Sequence, residues 1–206
     1  MSKLVNDLIR DGYLKSDAII DALERVRRIE FVPKELELQV DADVALPIGY
    51  GQTISQPLVV AIMLELLDPQ KGQRILDVGS GSGWTTALLA NIVGSEGKVV
   101  AIDIINALTE FGRINADKYG FVKNGIAEFH NADGNNGFPA QAPYDRILVS
   151  ASTSDDIPQA LKDQLKIGGK MVIPYRNSII YLEKEGENKF YREEFPGFTF
   201  VPFVIN

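Results

Sequence analysis

Two carboxylates and three glycines are spaced so that they could hold a nucleoside. Asp77 lies near the end of the apolar run Arg74-Ile-Leu-Asp-Val, and Asp103 ends the run Lys98-Val-Val-Ala-Ile-Asp. Between them come Gly79, Gly81 and Gly83, followed by Thr85 to Val93, which reads as a helix. A strand, a glycine turn and a helix present backbone N–H groups and a helix N-terminus to a ligand. An acid at the end of the next strand sits where ribose hydroxyls are usually bound. The dinucleotide pattern G-x-G-x-x-G would require glycine at position 84, which is Trp84; the spacing here is G-x-G-x-G. This favours S-adenosylmethionine over NAD or FAD, because that cofactor has no pyrophosphate to cradle.

A second stretch, Pro47-Ile-Gly-Tyr-Gly-Gln-Thr-Ile-Ser-Gln-Pro57, packs two glycines, two prolines and several hydroxyl or amide side chains into eleven residues. It excludes an ordinary helix or central strand and is expected to be an ordered loop presenting Tyr50, Gln52, Thr53 and Ser55. Ser55 also suits the N-cap of a helix starting near Pro57.

These residues need elements to position them. From residue 74 onward strands (74–78, 98–103, 126–131, 144–150, 169–174) alternate with helices (84–93, 106–119, 157–166), and Gly168-Gly169 reads as the stop of the last helix. The rhythm predicts a doubly wound, mostly parallel α/β sheet of the seven-stranded, Rossmann-like type, with helices on both faces. Residues 178–184, 189–194 and 198–205 are aromatic and β-branched and predict an antiparallel C-terminal edge. Helices are expected over 3–10, 17–28 (N-capped by Ser16) and 57–67. The chain reads as one domain over 1–206, with N-terminal helices and loop (1–73), a cofactor-binding core (74–175) and C-terminal strands (176–206).

Composition narrows the function. The chain has 206 residues, no cysteine, one histidine and a net charge of −7. Cysteine chemistry and disulfides are therefore excluded. The acidic balance disfavours a phosphate-tracking partner, and the basic group Arg25, Arg27 and Arg28 reads as a solvated helix face. No apolar run reaches the ~18–20 residues of a membrane span, and no signal-peptide core is visible. A cytoplasmic monomer without a metal site is the expectation. His130 reads as structural.

With these residues in view, the chain resembles the protein-L-isoaspartate O-methyltransferase family. The likeness rests on Phe31-Val-Pro, the segment Leu46 to Pro57, Leu76-Asp-Val-Gly-Ser-Gly-Ser-Gly, Ala132-Asp-Gly, Ala142-Pro-Tyr-Asp-Arg-Ile-Leu-Val, Ile157-Pro-Gln-Ala-Leu, Gln164-Leu-Lys-Ile-Gly-Gly-Lys and Phe200-Val-Pro. The resemblance implies methyl transfer from S-adenosylmethionine to the free α-carboxyl of L-isoaspartyl residues in damaged proteins or peptides. It makes Ser55 the active-site serine. It places Thr53, Ile54, Asp77, Gly79, Ser80, Gly81, Gly83, Asp103, Ile104, Asp133 and Gly134 at the cofactor, and Ile48, Ser55, Ala151 and Ser152 at the substrate. Asp155 and Asp156 would stand near the substrate groove, and Arg176 could meet a peptide carboxylate or remain a solvated strand-end charge. Two alternatives stay open: another carboxylate acceptor on the same fold, and a family member that binds cofactor without turnover.

Carboxylate methylation is compatible with this residue set. An α-carboxyl with a pKa near ~3.5 is already an anion at neutral pH. It needs no general base, only a site that holds it in line with the methyl group and excludes water.

Overall fold

The structure is a computed structural model and describes residues 2–153 and 156–203. Most of the parallel strands form because they are short apolar runs buried on both faces. β3 (Arg74–Val78), β4 (Lys98–Asp103) and β6 (Tyr144–Val149) are such runs, while β5 (Ala127–Asn131) is a more polar, partly buried edge strand. They are preceded in the chain by a small hairpin, β1 (Leu46–Gly49) and β2 (Gln52–Ile54). β7 (Leu165–Tyr175), β8 (Ser178–Gly186) and β9 (Lys189–Pro196) follow. The main sheet has seven strands in the order β5-β4-β3-β6-β7-β8-β9. It is parallel from β5 to β7 and antiparallel from β7 to β9.

Strand period sorts the core into two layers. Ile75, Val99, Leu148 and Val172 point into one cluster, and Leu76, Val100, Ile147 and Met171 into the other. The first layer is covered by α2 (Asp17–Arg25), α3 (Pro57–Leu67), α4 (Trp84–Val93) and α5 (Asn106–Asp117), with α1 (Lys3–Arg10) outside α2. The second is covered more thinly by α6 (Gln159–Asp163) and short 3₁₀ turns at 134–136 and 139–141.

Several expected boundaries move. α2 ends at Arg25 and a 3₁₀ turn follows at Arg28–Phe31. Ser16 occupies the N-cap position of α2, but its hydroxyl donates to Glu65 Oε2 at 2.7 Å instead of capping. α6 is five residues long, because β7 begins at Leu165, and Gly168 and Gly169 lie inside that strand. Residues 198–203 form no strand. They make one isolated bridge, Pro202 to Ser152, because the backbone bonds of Val201 and Phe203 go to Ser152 just beyond β6, at 2.8 Å from Ser152 N–H to the Val201 carbonyl and 2.8 Å from Phe203 N–H to the Ser152 carbonyl. The rest of the expected 198–205 strand lies outside the described residues.

Candidate active site

The chain leaves β3 for β4 and β5 on one side and returns to β6 on the other. A ligand crevice opens at the carboxyl ends of strands where the order turns back in this way. A cleft lies there. Its floor is the turn after β3, its flanks are the ends of β4 and β6, and its roof is β2 with residues 201–203.

The floor is held to the neighbouring strands by backbone bonds. Gly79 and Ser80 both donate to the Ile102 carbonyl, at 2.8 and 3.1 Å, and Ser150 donates to the Val78 carbonyl at 2.9 Å. Gly83, at φ +83°, starts α4 where a Cβ would stand 2.6 Å from the Gly112 carbonyl oxygen. Only glycine lets α4 and α5 approach this closely.

Asp103 is buried at the cleft wall. Its Oδ2 accepts the Gly81 N–H at 2.8 Å and its Oδ1 the Ile105 N–H at 2.9 Å. Burial lifts its carboxyl above the ordinary range, against those two bonds. Each oxygen keeps a lone pair for a further donor, so a pair of ribose hydroxyls fits. Ile102, Ile104, Ala132 and Phe203 supply an apolar slot beside it. Phe203 packs on Gly134, where a Cβ would lie 2.6 Å from the ring. Ser80 lines the cleft, and its Oγ is buried without a hydrogen-bond partner. An acid, an apolar slot and an unused hydroxyl in one cleft match the ribose, adenine and methionine ends of S-adenosylmethionine.

The loop expected over 47–57 is in fact the β1–β2 hairpin. Tyr50 and Gly51 both have positive φ, +55° and +71°, the requirement of a type I′ turn whose twist matches the strands. The hairpin carries Gln52, Thr53, Ile54 and Ser55 to the cleft rim, facing the glycine turn. Ser55 is not the N-cap of α3. Gln56 holds that position with Pro57 after it, and the cap bond comes from Asp43, whose Oδ1 accepts the Leu58 N–H at 2.8 Å. Asp43 Oδ2 also accepts from the Gln56 side chain at 2.9 Å.

Of the expected site residues, Thr53, Ile54, Ser55, Gly79, Ser80, Gly81, Asp103, Ile104, Gly134 and Ala151 line the cleft. Five do not, and the structure gives each another task. Asp77 is 0% exposed below the turn, where its Oδ2 accepts from the hydroxyls of Thr85 and Thr86 at 2.9 and 2.6 Å. Burial pushes its carboxyl up to about 6, the Thr86 and Thr85 bonds pull it down, and Asp103 adds to the rise. Gly83 serves the α4–α5 approach. Asp133 turns its carboxylate onto its own backbone, accepting from Asn135 N–H at 2.9 Å. Ile48 backs the glycine turn, its Cδ1 3.2 Å from where a Gly81 Cβ would stand. Ser152 Oγ donates to the Arg176 carbonyl at 3.0 Å.

Arg176 itself sits in the β7–β8 turn at φ +51°, with its guanidinium 5.1 Å from the Tyr175 ring centre. Asp156 is exposed, and Asp155 lies outside the described residues. His130 stacks on Phe138 at 4.3 Å, away from the cleft lining.

Trp84, Val201, Pro202 and Phe203 also line the cleft, beyond the residues expected there. Arg28, expected on a solvated helix face, is buried at 7% exposure. The Phe200-Val-Pro likeness was the available signal for the 201–203 wall. Arg28 gave none, since its partners are backbone carbonyls distant in sequence.

Seven-stranded order, glycine turn and strand-end acid together define a class I methyltransferase fold. The family model for protein-L-isoaspartate(D-aspartate) O-methyltransferase matches residues 1–206. The chain belongs to that family. It is 42% identical over 206 residues to the protein-L-isoaspartate O-methyltransferase of Methanopyrus kandleri, covering 98% of this chain and 90% of that one. It is 38% identical to the enzyme of the same name from Methanothermobacter thermautotrophicus, over 98% of this chain and 94% of the other. In three dimensions it is similar to a Plasmodium falciparum β-aspartate methyltransferase crystallised with S-adenosyl-L-homocysteine. That likeness has a TM-score of 0.88 and covers 98% and 97% of the two chains; at 24% identity it bears on the fold.

Proposed function

We propose that this protein transfers a methyl group from S-adenosylmethionine to the free α-carboxylate of L-isoaspartyl residues in damaged proteins and peptides. The observation that carries the reading is the placement of Ser55, on the hairpin rim, across one cleft from the Gly79–Ser82 turn and Asp103. When bound, the cofactor supplies an electrophilic methyl that a carboxylate oxygen can attack directly. Among the described residues lining the cleft, Asp103 alone has an ionisable side chain, and both its oxygens are tied to backbone N–H groups. This suits a reaction in which the acceptor arrives as an anion and no proton is removed.

Asp103 takes the ribose hydroxyls. Ile104 and Phe203 flank the base, and Ser80 and the glycine turn that carries it line the methionine end. Ser55 donates its hydroxyl to the acceptor carboxylate and, with Thr53 and Ile54, keeps water from the transfer line. Ala151 walls the acceptor side, Ile48 backs the glycine turn, and Ser152 holds the segment after Ala151 to the Arg176 carbonyl. The chain acts as one catalytic unit, a monomer in the cytoplasm. Its net charge of −7 disfavours nucleic acid, and among the described residues no helix is long and apolar enough to cross a membrane.

The test is labelling of two peptides of one sequence, one with isoaspartate and one with aspartate. Labelling of the isoaspartyl peptide alone is expected. Equal labelling would move the reading to a broader carboxylate acceptor. Labelling of neither, with cofactor still bound, would reduce the protein to a binding module.

A further inference from the structure

Arg28 does not touch the cleft, yet its side chain reaches the loop that carries Ser55. Nη1 donates to the carbonyls of Val40 and Ala42 at 3.0 and 3.2 Å, and Nη2 to those of Val44 and Ser55 at 2.7 and 3.1 Å. The guanidinium carbon lies 5.5 Å from the ring centre of Trp84, a wall of the cleft. Trp84 is fixed in turn by its indole N–H, which donates to the Val26 carbonyl at 3.3 Å. A buried guanidinium is costly unless its donors are matched; here four backbone oxygens accept from Nη1 and Nη2, while Nε is buried without a partner.

The other end of the same segment is fastened by Asp43, which lies between two of the carbonyls Arg28 binds. Its carboxylate holds the Gln56 side chain and the Leu58 N–H. Three positions around the active-site loop are thus fixed from one strap: residue 55 through Arg28, and residues 56 and 58 through Asp43.

We infer that Arg28 is a positioning residue for methyl transfer, and that Arg28 and Asp43 together brace Ser55 against the cofactor wall formed by Trp84. The inference rests on the methyl-transfer reading above for its kinetic consequence, but the brace itself is independent of the acceptor. The geometry demands arginine. A lysine ammonium has three donors at one point and cannot span carbonyls of residues 40, 42, 44 and 55. A loop displaced by a fraction of an ångström loses turnover before it loses cofactor, because alignment of the reacting atoms controls the rate.

The test compares the wild type with Arg28→Lys and Arg28→Ala. In Arg28→Lys, kcat for isoaspartyl peptide is expected to fall about 10- to 100-fold, with affinity for S-adenosylhomocysteine changed less than about threefold. In Arg28→Ala, added guanidinium ion at millimolar concentration is expected to restore part of the lost kcat. Wild-type turnover in Arg28→Lys, or equal loss of kcat and cofactor affinity, would overturn the positioning role. Hydrogen exchange over residues 52–58 separates this from the functional reading. Faster exchange in Arg28→Lys supports the brace even if the wild type labels no isoaspartyl peptide, and unchanged exchange removes it whatever the enzyme methylates.

Discussion

Gly81 donates its backbone N–H to Oδ2 of Asp103 at 2.8 Å, so the glycine turn and the end of β4 are one unit. The acid proposed for the ribose also shapes the floor of the cleft. Both of its oxygens are in use by the backbone before any ligand arrives, the second by Ile105 at 2.9 Å.

Asp103→Asn should therefore weaken cofactor binding more than one lost hydrogen bond would suggest. The amide has a single acceptor oxygen, and its NH₂ would face one of the two backbone donors. Calorimetry with S-adenosylhomocysteine should show Kd rising about 10- to 100-fold, or ~1.4–2.8 kcal/mol. Unchanged affinity would remove Asp103 from the binding site.

Ser55 makes a different kind of prediction. It lines the cleft at the rim, and its carbonyl, not its hydroxyl, is the group tied to Arg28. Ser55→Ala keeps that backbone bond and removes only the hydroxyl proposed to donate to the acceptor. Steady-state kinetics with isoaspartyl peptide should show kcat down by about 10- to 100-fold, with cofactor affinity unchanged. A drop confined to cofactor affinity would make Ser55 part of the cofactor wall instead.

What could be read without coordinates was local. The run from Arg74 to Val93 announces strand, turn and helix because each step depends on neighbours in sequence, and Asp103 follows from the next strand's length. The hairpin at 46–54 was legible as ordered and glycine-dependent but not as paired, since Tyr50 in a left-handed conformation is a choice its own residue type disfavours. Residues 198–203 have strand composition, but Val201 and Phe203 bond to Ser152 beyond the end of β6 instead of to the open edge of β9, a long-range choice that composition does not encode. Arg28 and Asp43 were invisible for a related reason. A buried arginine next to Arg27 and Glu30 looks like a surface charge until the carbonyls of residues 40–44 are brought around it.

Gly83 joins two helices. At φ +83°, and with the Gly112 carbonyl oxygen 2.6 Å from any Cβ, Gly83→Ala must both strain the backbone and push α5 from α4. A loss of about 2–4 kcal/mol is expected from the two effects together. Urea denaturation would measure it. A loss below ~1 kcal/mol would mean the α4–α5 contact yields freely.

Asp77 predicts how stability depends on pH. It is fully buried, and burial pushes its carboxyl from the ordinary 3.8 to about 6. Between those values the folded state holds more protons than the unfolded one, so this group's contribution to stability falls as pH rises through about 6 and is level above it. At 1.36 kcal/mol per pKa unit the charged carboxylate costs on the order of 3 kcal/mol at pH 8. Asp77→Asn removes the charge while its amide oxygen still accepts from the Thr85 and Thr86 hydroxyls. The variant should gain on the wild type by about 1–2 kcal/mol more at pH 8 than at pH 5, read from urea midpoints at the two values. A gap that does not change between pH 5 and pH 8 would show that Asp77 does not titrate in that range.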